Sequence, residues 1–290
     1  MKLNGVKFIG KFEVDFIDQL KRELLLFDKV GIPYLDAHIN TIHKYKNDVS
    51  YAPDLIREVE YLVDEGLLFD STGMLNKEER EQLYDVILSK YEIGFNERKN
   101  MYELLVTDEF YIPFSRLNCS ILDAKQKGER YVNTFDSFST SFKEVTKESY
   151  VYKLVLDNIP FPSNQTSWEN ILSFKSEQDS LEKSLRLRNW INEIKYKPLS
   201  EKEIAESLEH KLLQYKMSFK NNGIKSLSGI LEILITGGSE IFEEIIKLKI
   251  GKLSKRLFGI SKVRAELIQQ EMKSNGMEVA YIHKINENVR

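Results

Sequence analysis

The sequence predicts a predominantly helical α/β or α+β protein with a small mixed sheet and a C-terminal helical lobe. Apolar residues recur at helical spacing along most of the chain, whereas β-branched or aromatic runs that stop at prolines occur in only a few places. Of the 290 residues, 42% are hydrophobic and 30% are charged, a composition that argues against extensive disorder. A chain of this length forms one large domain or two modest ones, and we expect two lobes, 1–128 and 129–290.

The first lobe begins with a helix, or a helix followed by a strand, over residues 12–27. A short strand over 29–33 comes next, and Pro33 ends it. The strand leads into a polar loop. A second helix follows over 54–62, and Gly66 ends it in the manner of a C-terminal cap. We expect further helices over 76–91 and 101–124, the latter interrupted near Pro113.

The second lobe opens after a polar linker at 125–130 that carries a glycine. Residues 130–147 alternate aromatic and hydroxyl side chains, which suits a half-exposed strand or an irregular loop equally well. The run 150–156 is β-branched and aromatic and stops before two prolines, so we interpret it as a buried strand. Asp157 would then lie at the end of a core strand, where open α/β sheets bind ligands, although a simple Asx turn explains the same residue.

Two long helices follow. Ser167 is the expected N-cap of the first, which runs to residue 194, and Ser200 with Glu203 forms the capping-box pattern of the second, which runs to 221. Because the connection is short, the pair should form an antiparallel hairpin. The final run 278–283 predicts a closing strand.

The sequence is typical of proteins that fold in a reducing, intracellular compartment. Its one cysteine, Cys119, excludes an internal disulfide and lies in an apolar stretch typical of a structural thiol. The N-terminus has no apolar core long enough for a signal peptide, and no segment is apolar enough to span a membrane. We therefore expect a cytoplasmic protein. The net charge of −3 argues against a dedicated, strongly basic nucleic-acid-binding protein.

The most concentrated polar group comprises Asp36, His38 and His43. A carboxylate with two imidazoles could bind a divalent metal or perform acid–base chemistry, and Asp157 could join it from the predicted strand end. The spacing matches no established metal site, however, and a polar loop with locally hydrogen-bonded histidines explains it better. We assign no metal here. A metal-dependent hydrolase or nuclease is therefore an alternative that requires these side chains to converge.

A basic amphipathic segment occupies residues 247–264. It could contact phosphate backbone, anionic lipid or an acidic partner, although a charged helix is more commonly a solvated face. Its basic residues, with no acid among them, are Lys247, Lys249, Lys252, Lys255, Arg256, Lys262 and Arg264.

Familiar cofactor and catalytic motifs are absent. The sequence has no phosphate-binding loop, dinucleotide fingerprint, nucleophile elbow or paired-cysteine site. We therefore expect no bound cofactor, and the sequence does not decide whether the protein is an enzyme.

Scattered pieces of the chain resemble uncharacterised bacterial proteins found on mobile elements and in antiviral-defence neighbourhoods. These pieces lie at 26–33, 60–66, 159–162, 168–172 and 278–282. The resemblance implies a context, defence against phage, rather than a reaction, and it carries no catalytic residues.

The leading hypothesis is a soluble, non-enzymatic component of a bacterial multi-protein system. It would bind another protein through the helical hairpin or the basic segment. The alternatives are the metal-dependent enzyme and a nucleic-acid-binding protein that uses the basic segment. The sequence predicts neither the partner's identity nor the oligomeric state.

Overall fold

A computed structural model describes residues 2–7, 15–45, 51–90, 108–134, 146–163, 166–221 and 275–289. The chain divides into two compact units, residues 1–177 with 289–290, and residues 178–288. The first unit contains a small sheet with helices, and the described part of the second is helical. The predominantly helical α/β class predicted from the sequence is thus confirmed.

The sheet of the first unit has the strand order β3-β2-β1-β4. All its neighbouring pairs are parallel, rather than mixed as expected. Strand β1 is central, with Val6 in register with Gly31 of β2 and Asn133 of β4. The strands are β1 (Lys2–Lys7), β2 (Lys29–Ile32), β3 (Leu68–Asp70) and β4 (Glu129–Thr134). Their carboxyl ends share one edge, and the strand order reverses between β1 and β4, which is the usual ligand position in such sheets.

Helices cover both faces of this sheet, as parallel sheets require. Helix α1 lies over one face, where Phe27 just beyond it meets Gly5. Helix α5 lies over the other, where Phe114 and Leu122 share a core with Val6. The helices in the described part of the unit are α1 (Phe16–Leu26), α2 (Leu35–Tyr45), α3 (Ala52–Asp64), α4 (Lys77–Lys90), α5 (Asp108–Lys125), α6 (Lys147–Asp157) and α7 (Trp168–Ser176). Pro113 lies inside α5.

The predicted strand over 150–156 is wrong, because these residues belong to α6. Thr146 caps the helix by accepting a hydrogen bond from Ser149 N at 3.1 Å. The buried residues Val151, Tyr152, Val155 and Leu156 recur at helical spacing. A short apolar run buried on most sides has no period that separates strand from helix.

The predicted linker over 125–130 and the predicted helix over 168–194 also differ from expectation. Residues 129–134 form β4 and pair with β1, so the strand lies in the first unit, whereas the sequence places the lobe boundary at 128/129. The predicted single helix over 168–194 is broken at Glu177, whose φ of −59° and ψ of 133° are not helical. The division between the units lies at this break.

The second unit contains α8 (Gln178–Ile194), α9 (Glu201–Asn221) and α10 (Ala280–Asn288), preceded by a 3₁₀ turn over Met277–Val279. The predicted capping box is confirmed: Ser200 N donates to Glu203 Oε2 at 2.7 Å, and Glu203 N donates to Ser200 Oγ at 3.4 Å. The predicted closing strand at 278–283 is wrong. Its apolar run is buried because α10 contacts both α8 and α9.

Gly276 fixes the entry of the chain into the 3₁₀ turn. Its φ is +82°, and a Cβ atom there would lie 2.2 Å from Lys211 O and 2.9 Å from Tyr215 N. Backbone atoms cannot move aside as a flexible side chain can, so only glycine fits this contact.

In the part of the chain that the structure describes, no helix has both the length and the apolarity needed to cross a membrane.

Gly31 provides a test of how tightly the sheet packs. A Cβ atom at this position would lie 2.6 Å from Phe69 Cζ. We expect Gly31→Ala to lower the free energy of unfolding by about 1–3 kcal/mol, because the added methyl overpacks the sheet. Urea unfolding followed by circular dichroism measures the loss. In a double-mutant cycle, Phe69→Leu should recover most of it, and a purely additive cycle would contradict this packing.

Candidate functional site

Polar side chains collect where β2 and β3 end, at the carboxyl edge of the sheet. Asp70 Oδ1 accepts hydrogen bonds from Thr72 N at 2.9 Å, Thr72 Oγ1 at 2.7 Å and Gly73 N at 2.8 Å. Thr72 Oγ1 in turn accepts from Tyr34 N at 3.0 Å. Tyr34 has a φ of +57°, a left-handed conformation that is uncommon for a residue other than glycine. These bonds hold the loops after the two strands together.

His38 lies beside this cluster and is 3% exposed. Burial lowers its pKa to about 4, and the negative charge of Asp70 opposes that shift without overcoming it. The imidazole is therefore neutral at pH 7. It can accept or donate a hydrogen bond, but it has no positive charge with which to attract an anion.

A buried ion pair occupies the carboxyl end of β1. Lys7 Nζ lies 3.2 Å from Glu23 Oε1, and the two side chains are 1% and 4% exposed. Lys7 also donates to Gln19 Oε1, and Thr134 is its register partner on β4. Buried charges need such partners, because the desolvation cost of an unpaired ion is several kcal/mol.

The opposite face of the sheet has neutral polar groups beneath α5. Asn118 Nδ2 donates to Ser71 Oγ at 2.9 Å, just beyond β3. Asn118 Oδ1, Ser115 Oγ and Asn133 Oδ1 are buried and have no hydrogen-bond partner among the described residues. Tyr34 packs against the core cluster that contains Phe114, and the centroids of their rings are 6.2 Å apart.

The predicted site residues of the first half lie in a helix rather than in a loop. Asp36 and His38 are in the first turns of α2, where Asp36 is exposed and His38 is buried. His43 is exposed in the same helix, and its Nε2 is 3.0 Å from Glu60 Oε1. A polar, poorly periodic sequence after a proline concealed this helix.

Asp157 lies at the exposed end of α6, not at the end of a strand, and pairs with Lys153 one helical turn earlier. Among the described residues, no three His, Cys, Asp or Glu side chains are grouped so that they could hold a metal ion. The basic residues of 247–264 lie outside the described residues.

Cys119 is buried, and desolvation raises its pKa well above the usual thiol value. The thiolate that a nucleophile requires is thus disfavoured, which agrees with the structural role expected from the sequence.

Lys7, Asn118 and Asn133 were not among the site residues predicted from the sequence. A lysine inside a short apolar run at a strand's end is a detectable signal, because such a position is usually buried. The asparagines gave no signal, since single amides are common on exposed helices and in turns.

The neutral state of His38 predicts a pH-dependent stability. The pKa is about 4 in the folded chain and 6.5 for a histidine in water, so the unfolded chain binds more protons between these values. Stability should therefore fall as the pH drops below 6.5. We expect wild type to lose about 2 kcal/mol more than His38→Gln between pH 7 and pH 5 in urea unfolding. His43→Gln controls for the loss of one histidine, and equal losses in wild type and His38→Gln would contradict the prediction.

Because Lys7 and Glu23 form a buried ion pair, substitutions at the two positions should have strongly coupled effects on the free energy of unfolding. Glu23→Gln should cost about 3–5 kcal/mol, because it removes the negative charge that faces the buried Lys7 ammonium. The double variant Lys7→Met with Glu23→Gln should lose less than either single variant, because neither buried charge is then left without its partner. Urea unfolding of the four proteins measures the coupling, which would be refuted if the double variant were the least stable.

Comparison of the chain with protein-family models, curated proteins and solved structures finds no match. Its function is therefore inferred from its own residues and contacts.

Proposed function

We propose that this chain is a component of a bacterial multi-protein system and acts by binding another protein through α8 and α9. The observation that carries the proposal is a set of exposed aliphatic side chains at helical spacing. Leu181 and Leu185 on α8 are 52% and 57% exposed, and Leu213 and Met217 on α9 are 54% and 50% exposed. Exposed apolar groups that cluster mark interaction surfaces. The cytoplasm and antiviral defence are the compartment and context that the sequence suggests for this activity.

The two pairs lie at the same end of the second unit. Lys284 Nζ contacts Asp179 at 2.9 Å and Ser180 Oγ at 2.7 Å, while the ring of the adjacent His283 is 5.2 Å from Tyr215. The start of α8 and the Tyr215 region of α9 thus flank the same part of α10. Leu213 and Met217 lie on the side of α9 away from its buried residues.

The charges beside these leucines are paired within the unit. Glu182 pairs with Arg186, and Asp179 lies within 3.0 Å of both Lys183 and Lys284. Apolar contact rather than charge would therefore drive binding. Ridges of side chains spaced four residues apart accept the apolar face of another helix, so the partner chemistry is an amphipathic helix.

The alternatives have less support. A metal-dependent hydrolase or nuclease needs a convergent ligand set, and the described residues provide none. A nucleic-acid-binding function rests on the basic segment 247–264, which lies outside them.

The proposal predicts that a partner stays bound at high salt and is lost when the exposed leucines are replaced. Tagged protein purified from its native host should retain a stoichiometric protein partner at both low salt and about 0.5 M NaCl, where charge contacts are screened. Leu185→Ser combined with Leu213→Ser should reduce its recovery at least about tenfold, since each truncation removes more than 1 kcal/mol of apolar contact. Val63→Ser, an exposed apolar position in the first unit, is the matched control.

A photo-crosslinker at position 185 or 213 should then react with a helix of that partner. Three results would overturn the proposal: retention of the partner by the double variant, release by salt alone, or crosslinking to a second copy of this chain.

A further inference from the structure

Arg22 in α1 stacks on an aromatic ring instead of pairing with an acid. Its Cζ atom lies 4.1 Å from the centroid of the Phe161 ring, which belongs to the connection that follows α6. Arg22 is half-buried, and its Nε atom is buried without a hydrogen-bond partner. Among the described residues, no hydrogen bond or ion pair involves this guanidinium. Its positive charge is therefore partly withdrawn from water and is not balanced by a neighbouring carboxylate.

The adjacent Lys21 is in a similar position. It is 7% exposed, and its Nζ atom lies 5.6 Å from the centroid of the Trp168 ring. Lys21 has no hydrogen bond or ion pair in the described part of the chain. Two nearby carboxylates do not balance these cations. Glu58 accepts a hydrogen bond from Trp168 Nε1, and Asp18, one helical turn before Arg22, forms no ion pair with a described residue.

A comparable cation of the same unit does have acidic partners. Arg130 is also half-buried, and it pairs with Asp123 and Glu148. A partly buried charge without such a partner is costly, because attraction does not offset the loss of hydration. Stacking on an aromatic ring recovers only part of that cost. Lys21 and Arg22 thus produce a local excess of positive charge that an anion from solution would balance.

The stacked geometry leaves the hydrogen-bonding edge of Arg22 available. Stacking occupies a face of the planar guanidinium, whereas its N–H donors lie in the plane and match the paired oxygens of a carboxylate or phosphate. The Nε atom is buried, but the outer nitrogens are not among the buried atoms, so an anion can reach them. An oxyanion is therefore the chemical group that this side chain suits.

Phe161 adds an apolar contact beside that charge. Its ring is 50% exposed, although Arg22 stacks on it. Pro160 and Pro162 flank it, and their fixed φ angles restrict the backbone that carries the ring. A ligand with an apolar group next to its oxyanion would therefore gain contact with a surface that is already positioned.

We propose that Arg22 and Phe161 bind a small ligand that carries an oxyanion, either a carboxylate or a phosphate, next to an apolar group. Lys21 strengthens the attraction through its charge. The site lies in the first unit and is independent of the protein partner proposed for α8 and α9.

Isothermal titration of the full chain with benzoate, phenyl phosphate and benzamide tests the proposal. At least one of the two anions should bind saturably, and the tighter of them identifies the oxyanion. Benzamide has the ring without the charge and should bind at least about tenfold more weakly, the loss expected for one charge-assisted hydrogen bond. Added NaCl should weaken anion binding, because it screens the attraction. No binding of either anion, or equal binding of benzamide, would overturn the proposal.

Variants separate a ligand-binding role from a structural one. Arg22→Gln removes a charge that has no acidic partner among the described residues, so the melting temperature of the ligand-free protein should change little while anion affinity falls at least about tenfold. Phe161→Leu keeps the charge and should weaken the anion about threefold. Arg57→Gln is the matched control, since Arg57 is exposed and pairs with Asp54, and it should bind as wild type.

The contrary result is equally specific. A lower melting temperature for Arg22→Gln with unchanged anion binding would show that the stacking on Phe161 is structural, and it would overturn the proposal. An equal loss of anion affinity in Arg57→Gln would also overturn it, because the binding would then follow the net charge of the chain rather than this site.

Discussion

The first unit depends on the pairing of β1 with β4. These strands are separated by more than a hundred residues of sequence, yet they align in parallel from Lys2 with Glu129 to Lys7 with Thr134. Because β1 also pairs with β2, which in turn pairs with β3, this one short strand joins β4 to the rest of the sheet. The pairing places the ends of β1 and β4 side by side, and it sets the positions of the ion pair on one face and of the unpartnered amides on the other.

Local signals in the sequence identified several elements correctly. Strand β2, the end of α3 at Gly66, the N-cap at Ser167 and the capping box at Ser200 all depend on residues close in sequence. Apolar runs were harder, as at 150–156 and 278–283. Such runs are buried as helices here because neighbouring elements cover them, and those neighbours are distant in sequence.

The candidate site residues could be predicted only in part, because residue type alone does not show which side chains are buried. Charged and metal-binding residue types drew attention to Asp36, His43 and Asp157, which the structure places on exposed helical positions with His43 and Asp157 in local ion pairs. Burial singles out His38, the Lys7–Glu23 pair and the oxygens of Ser115, Asn118 and Asn133. Their significance comes from strand register and helix direction, which residue types do not encode.

The contacts of α10 affect the order in which parts of the chain can fold during synthesis. Helix α10 contacts both α8 and α9, and Gly276 docks against the backbone of α9 just before it. During synthesis from the N-terminus, the four strands and α1 are complete long before residue 280 is made. The apolar sides of α8 and α9 that α10 covers are therefore synthesised before α10 can bind them. During that interval, chaperones or a partner could bind these surfaces first.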